Sequence, residues 1–391
     1  MDVYILDSLL RRTEVVDDFE SAIWTERFSE FGDFEIDIKS TLKARGLFQV
    51  GTMLAVNNSY AVMTVETVED TTDAEGKDVL KVKGRSLEAM LQDRVARSAM
   101  TDTVTEPSWT LVDTPGNVAR AMFDHVARTG SLDPDDQIPF LQTGSIFLPG
   151  TNGETSESIT WVQQPDSLYN AIKAVCDSYD LGFRLSRNFD LSQLYFDVYT
   201  GDDRTTRQTL KAPVIFAPGL DNIENTTELT NIQGSKNVAY VFSPAGSLVV
   251  FGENVDPDIS GFDRRVLVVN ASSIAAEDPD AETLMQEAGT QALAKNRASQ
   301  MFDGEVNQYG TYQFNVDYGL GDVVEMRNKD GIITYKRVTE HIFVSDAQGD
   351  RSYPTLTADL FVGANTWLDW NNKPTTWADY DLDLDTTWAT S

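Results

Sequence analysis

The chain has 391 residues, 41% of them hydrophobic, enough for two to four domains with packed cores. Its 31 basic residues face 62 acidic ones, and a net charge of −31 argues against nucleic-acid wrapping, which needs cations to displace counterions. The absence of an 18-residue apolar run excludes a helical membrane span, and the single Cys176 excludes an internal disulfide, so synthesis in a reducing compartment is expected. The charge itself has two readings: solubility by self-repulsion, or a like-charged wall past which DNA slides without sticking.

The N-terminal "MDVYILDSLLRR" lacks the basic lead and cleavage site of a signal peptide, so Tyr4 and Ile5 are expected in a first strand. Phe28, Phe31, Phe34, Ile36 and Ile38 follow as strands broken at Gly32-Asp33. Strands are predicted in "FQVGTMLAV", "YAVMTVETVED" and "DVLKVKG", the last two joined by a hairpin loop around Gly76. The period then becomes helical, with Ser86 as the expected N-cap of "SLEAMLQDRVA". Residues 1–100 thus suggest a small β-barrel closed by a helix.

Residues 101–215 suggest an inserted mixed α/β domain. Thr114-Pro115 opens a helix striped with Val118, Met122 and Val126 and stopped by Gly130. A second helix from Pro165 carries Leu168, Ile172, Val175, Cys176 and Tyr179 on one face, with Gly182 as its stop; Cys176 has a plain packing role there. A hairpin spans 183–200, with "RNFD" near its turn.

Residues 216–362 suggest a β-rich region with a helix and a second barrel. Strands are expected in "PVIFAPG", "KNVAYVFS", "GSLVVFGE" and "RRVLVVN", then one helix over 281–302. "EVNQYGTYQFNV", "GDVVEMRN" and "ITYKRVTEHIFVSD" complete the region, with an Asp330-Gly331 hairpin signal between the last two. The whole is β-rich α+β, with two small β-barrel domains and inserted α/β domains.

Reactive constellations are scarce. His125 and His341 fall on separate elements without metal-ligand spacing, and there is no nucleophile elbow, Walker loop or dinucleotide fingerprint. A pair of catalytic carboxylates cannot be located among 62 acids. The clusters at 133–136 and 253–263 lack the EF-hand pattern and suit solvated loops, with calcium binding left open. Gly319 and Gly321 suit a tight turn feeding a strand, since no helix follows to hold a phosphate.

Three stretches, in order, carry a resemblance. "VLKVKGRSLEAMLQDRV" is a strand ending in Gly84-Arg85 before a helix. "LYFDVYTGDDR" and "LTNIQGSKNVAYVFS" are intervening strand pairs. "NVDYGLGDVVEMRN…ITYKRVTEHIFV" contains Asp317, Tyr318, Leu320, Gly321 and Asp322. This order resembles phage tail hub proteins, nearest to the minor tail proteins of long non-contractile-tailed actinobacteriophages. The resemblance spans about residues 1–360. It implies a structural, non-enzymatic tail-tip (baseplate hub) protein made in the host cytoplasm and carried in the virion, with no cofactor. Three chains would form a ring whose six barrels match the tail tube or distal tail protein. The tape-measure protein tip and other minor tail proteins would be its further partners, with DNA passing through unbound. Gly84, Arg85, Asp317, Tyr318, Leu320, Gly321 and Asp322 are then fold markers. A carbohydrate- or cell-wall-binding tail-tip protein and an unrelated β-rich hydrolase remain as alternatives.

Residues 363–391 form a Trp/Asp-rich extension with Trp367, Trp370, Trp377, Tyr380 and Trp388. Their spacing fits neither a helix face nor a strand face. Two expectations stand: a solvated or folded-back tail, or an extended strap whose tryptophans anchor on a partner, because Trp buries a large area with few rotors.

Overall fold

A computed structural model describes residues 1–57, 59–72, 76–99, 108–128, 131–141, 157–188, 193–252, 255–272, 274–305, 311–327 and 333–360. The first seven strands are β1 (Val3–Leu6), β2 (Arg12–Val16), β3 (Ser21–Arg27), β4 (Asp33–Lys39), β5 (Met53–Val56), β6 (Met63–Thr72) and β7 (Asp78–Ser86). Period-two alternation puts Ile36 opposite Val82 and Ile38 opposite Leu80 across β4 and β7, all four buried with Trp24, Phe48 and Val65. Between β4 and β5 lies a short helix without an apolar stripe, α1 (Leu42–Leu47), which the sequence reading missed; Thr41 caps it, its Oγ1 accepting from Ala44 N at 3.0 Å.

The expected helix after Ser86 is a 3₁₀ segment, Leu87–Asp93. Ser86 does not cap it, because its Oγ accepts instead from the N–H of Gly32 at 2.8 Å. That bond ties the end of β7 to the turn before β4.

The middle of the chain holds β8 (Trp109–Asp113), α2 (Pro115–Ala127), β9 (Ile159–Gln163), α3 (Leu168–Ser178), β10 (Gly182–Asn188) and β11 (Gln193–Tyr199). Strands β8 and β9 pair, as do β10 and β11. The two helices pack on that second hairpin, and Phe123 stacks on Phe196 with ring centroids 3.8 Å apart. Leu6, Leu10, Leu87 and Leu91 join the same core, so this part packs on the N-terminal strands. Cys176 is buried among apolar side chains. The residue that turns the chain out of α3 is Asp180, at φ 53°, not Gly182, which already belongs to β10. Gly130 lies outside the described residues, and α2 ends with Arg128 as C-cap.

The last third comprises β12 (Glu224–Asn231), β13 (Val238–Ser243), β14 (Gly246–Phe251), β15 (Val266–Asn270), α4 (Ala281–Ala294), β16 (Ala298–Glu305), β17 (Val323–Arg327), β18 (Ile333–Asp346) and β19 (Gly349–Leu360). The helix expected to reach residue 302 stops at Ala294. Asn296 reaches back to the Ala292 carbonyl at 2.8 Å, and Ala298–Glu305 then pairs with β19 as a strand. Of the strand expected over 305–316, Glu305 ends β16 and residues 311–316 form no strand. Residues 311–316 lead into a turn, with Asn315 at φ 60°. The hairpin loop at Asn328–Gly331 lies outside the described residues.

One fourteen-stranded sheet connects both ends of the chain, in the order β12–β16–β19–β18–β3–β4–β7–β6–β5–β1–β2, with β17 on β18 and the two-residue strands Asp203–Arg204 and Ile215–Phe216 on β17. Pairing of β18 with β3 joins the N-terminal and C-terminal strand groups. Among the described residues the strand path closes neither group into a hydrogen-bonded ring. Strands β14–β13–β15 form a separate small sheet, one face of which is covered by α4. No described helix is long and apolar enough to cross a membrane.

Candidate functional site

Where the three parts of the chain meet, one ring organises the joint. Phe28 leaves β3 with its N–H donating to the Thr339 carbonyl (2.9 Å) and its own carbonyl accepting from Phe183 N (3.1 Å). Its ring meets Tyr199 edge-on at 5.2 Å, and the Arg337 guanidinium lies over it at 5.2 Å. Two glycines make room for it. A Cβ on Gly182 or on Gly321 would come within 2.4 Å of the ring, and Gly321 also sits at φ +88°. Arg337 closes the arrangement by donating to the carbonyls of Thr200 (2.7 Å) and Gly321 (2.8 Å).

The stretch 317–322 gathers on the C-terminal side of this joint. Asp317 accepts from Gln313 N at 2.8 Å and holds the turn. Tyr318 and Leu320 are buried in the C-terminal core, the Tyr318 ring standing edge-on to Phe216 at 5.4 Å. Asp322 is fully buried and accepts from Asp202 N (2.7 Å) and Gly319 N (2.9 Å), with Arg204 Nε 3.5 Å away. Burial pushes its carboxyl up to about 6. Asp317, Tyr318, Leu320, Gly321 and Asp322 therefore act together. Gly84 and Arg85 stand apart from them. Gly84 lies opposite Phe34 and Val65, where a Cβ would strike the Thr64 carbonyl oxygen at 1.8 Å. Arg85 makes a two-pronged contact with Glu66 (2.7 and 2.8 Å) and covers the Phe31 ring. Trp367, Trp370, Trp377, Tyr380 and Trp388 lie outside the described residues.

Beside the joint opens a small cleft lined by Glu26, Tyr60, Glu88, Arg184, Tyr199 and Asn315, among others. Glu26 accepts from Trp24 Nε1 at 3.0 Å and Glu88 from Leu185 N at 2.6 Å. Burial raises both carboxyls, Glu26 to about 7 with the Glu88 charge adding to the effect. Arg184 lies over the Tyr199 ring at 4.1 Å, its Nε 3.9 Å from buried Asp197. Burial thus favours the protonated form of both carboxyls. The sequence carried one overlooked signal: Glu26 shares the inward face of β3 with Ala22 and Trp24. Arg184 had none, since it sits on the opposite side of β10 from Phe183 and Leu185.

The histidines stay apart, as their spacing suggested. His125 Nε2 lies 3.2 Å from the Ser98 carbonyl, and its ring packs by Trp109. His341 is fully buried opposite Glu26 in the β3–β18 register and stacks on Phe314 at 3.8 Å; burial lowers its pKa to about 3. No group of three or more His, Cys, Asp or Glu with metal-holding geometry occurs among the described residues.

Solved structures similar to this one include two tail proteins. The 43 kDa tail protein of prophage MuSo2 from Shewanella oneidensis superposes at a TM-score of 0.54 with 12% identity, over 91% of this chain and 97% of that one. The tail protein from Neisseria meningitidis MC58 does so at 0.53 with 13% identity, over 91% and 95%. At such identities the likeness establishes the fold. No curated protein matches the chain in sequence. The family described as Siphovirus ReqiPepy6 Gp37-like protein matches residues 2–356, nearly the whole chain, and the protein belongs to that family.

Proposed function

We propose that this protein is a structural component of a phage tail, the hub at the tail tip, and that it works as a homotrimer rather than as an enzyme. The observation that carries the reading is the junction. Two strand groups with separate cores are sewn into one sheet through β3 and β18 and locked by Phe28, Gly182 and Gly321. Two modules fixed to each other in this way would suit a ring built from repeated units. Each group would serve as one barrel, giving six in a trimer, with the chain dividing at about residues 100, 215 and 362. Asp317, Tyr318, Leu320, Gly321 and Asp322 would mark the fold at this junction, and Gly84 and Arg85 would mark it separately, at the end of β7. The distal tail protein or tail tube would sit above, the tape-measure tip within and other minor tail proteins below.

Part of the net charge of −31 would line the lumen, so that DNA passes without binding. The tail tryptophans would anchor a neighbouring tip protein. Mass measurement in solution tests the assembly, with a stable trimer expected and a strict monomer at high concentration against it. A cryo-EM map of the virion tip tests the placement, and a neutral or basic channel would remove the lumen reading. Glycan binding by the isolated chain would favour the carbohydrate-binding alternative instead.

A further inference from the structure

The small sheet β14–β13–β15 is covered on one side only. Ala239, Val241 and Val250 pack under α4 with Met285 and Leu293. The opposite side carries Phe242, Val249, Val266 and Val268, exposed by 48%, 38%, 36% and 68%. Val255 and Ile259 shield Val238 and pack against the half-buried Tyr240 and Phe251, leaving Phe242, Val249, Val266 and Val268 outside that cluster. Beside the sheet, Phe262 is fully exposed. Contiguous exposed apolar side chains of this kind mark a surface meant to be covered.

We propose that this face is the docking site for the first tryptophan unit of the same chain, Thr366–Trp370. The place where the described chain ends supports this. Leu360 pairs with Ala298, the Asn296 carbonyl accepts from Lys236 N at 2.7 Å, and Val238 pairs with Val266. That path has three cross-strand steps of about 5 Å and two short runs of about 6 Å, an upper bound of roughly 27 Å. Seven residues from Leu360 to Trp367 extend to about 24 Å, and the straight line is shorter than the path. The chemistry also matches. Trp367, Leu368 and Trp370 are apolar, and Asp369 stands between them. At the face's rim Arg264 and Arg265 spend their hydrogen bonds on carbonyl and hydroxyl oxygens: Ile259 O and Tyr240 Oη for Arg264, Ile232 O for Arg265. Their positive charge meets Asp369 without displacing a carboxylate. Docking this unit roots the strap and leaves Trp377, Tyr380 and Trp388 to reach a neighbour.

The inference rests on the strap reading of the tail, but its failure is separable from that of the strap. In the full chain, Val268→Cys with Leu368→Cys is compared with Leu229→Cys and Leu368→Cys. Leu229 is 52% exposed and pairs with Met301, three residues from Ala298, so it lies comparably near the chain's exit. Native Cys176 is buried. The first pair is expected to form an intrachain disulfide at least about tenfold faster than the second, beyond what tethering alone supplies. Equal rates, or disulfides only between chains, would overturn the docking. Independently, amide exchange over Val266–Asn270 is expected to quicken in the Trp367→Ala/Trp370→Ala variant, and unchanged exchange counts against it. The strap itself fails on a different result, namely normal virions after deletion of residues 364–391.

Discussion

The core between β4 and β7 and the joint around Phe28 lie at opposite ends of the same physical range. The first is made of Phe34, Ile36, Ile38, Leu80 and Val82, residues that alternate along their own strands and meet by register. The second holds the Phe28 ring against Gly182, Gly321 and Arg337, beside a cleft that contains buried carboxyls, and its parts come from segments far apart in the chain. A hydrophobic core loses stability in proportion to what is removed from it. A joint of this kind is more sensitive to what is added, because its glycines leave no space.

The sharpest way to break the joint is Gly321→Ala. It puts a Cβ within 2.4 Å of the Phe28 ring at a φ of +88°, which only glycine adopts cheaply. A loss of about 4 kcal/mol is expected from overpacking plus backbone strain, measured by urea unfolding. Phe28→Ala in the same chain should return about 1–2 kcal/mol of that loss, the coupling expected of residues in contact. Strict additivity would show that the two do not meet. The matching change in the core, Leu80→Ala, should cost about 3 kcal/mol by cavity formation. It should be additive with Gly321→Ala, because Leu80 and Gly321 sit in different cores.

The difference between the two regions also explains what the sequence could disclose. Strands β4, β6 and β7 were legible because their side chains obey a local period of two, whereas β3 was missed: the run read as a strand began at Phe28, where the chain has already left β3, and the consecutive burial of Trp24, Thr25 and Glu26 breaks the alternation. The stripes of α2 and α3 were legible for the same kind of reason. What the sequence concealed depends on partners far along the chain. Ser86 was expected to cap its own helix, yet Gly32, 54 residues away, claims its hydroxyl. The run 281–302 has helical composition throughout, and pairing with β19 overrides it after Asn296. Gly321 was legible as a turn, whereas the ring that requires it lies 293 positions earlier, in a segment the sequence presented only as a strand. Glu26 could have been noticed as an acid on an apolar strand face. Its companions Glu88 and Arg184 become visible only when the parts are brought together.

A gentler test separates the charge of the joint from its packing. Glu26→Gln keeps an acceptor for Trp24 Nε1 but removes the buried charge. Below about pH 4.5 the carboxyl is protonated in both folded and unfolded chains, so the wild type carries no penalty. As pH rises toward 7, the unfolded chain gives up its proton first and folded stability falls, by at most about 3 kcal/mol. The variant should therefore match the wild type near pH 4.5 and exceed it by about 2 kcal/mol at pH 7.5, read from urea midpoints. His341, held neutral with its pKa lowered to about 3, works in the opposite sense: it loses stability as pH falls below 6.5. The wild-type curve alone mixes these effects, and the difference between variant and wild type isolates Glu26. A constant difference across pH would mean that Glu26 is ionised in the joint at all these values.

The smallest effect sharpens the comparison from outside. Arg85 sits beside Gly84 but points to solvent, pairing with Glu66 while both side chains are more than a third exposed. Water and salt screen such a pair, so Arg85→Ala should cost under about 1 kcal/mol, part of it lost contact with the Phe31 ring. Gly84→Ala, one residue away, should cost several times more, because its Cβ has the Thr64 carbonyl in its path. Unfolding midpoints of the two variants measured side by side decide whether this dipeptide acts through its backbone or its charge. If Arg85→Ala proved the costlier, the guanidinium and not the glycine would be holding the end of β7 in register.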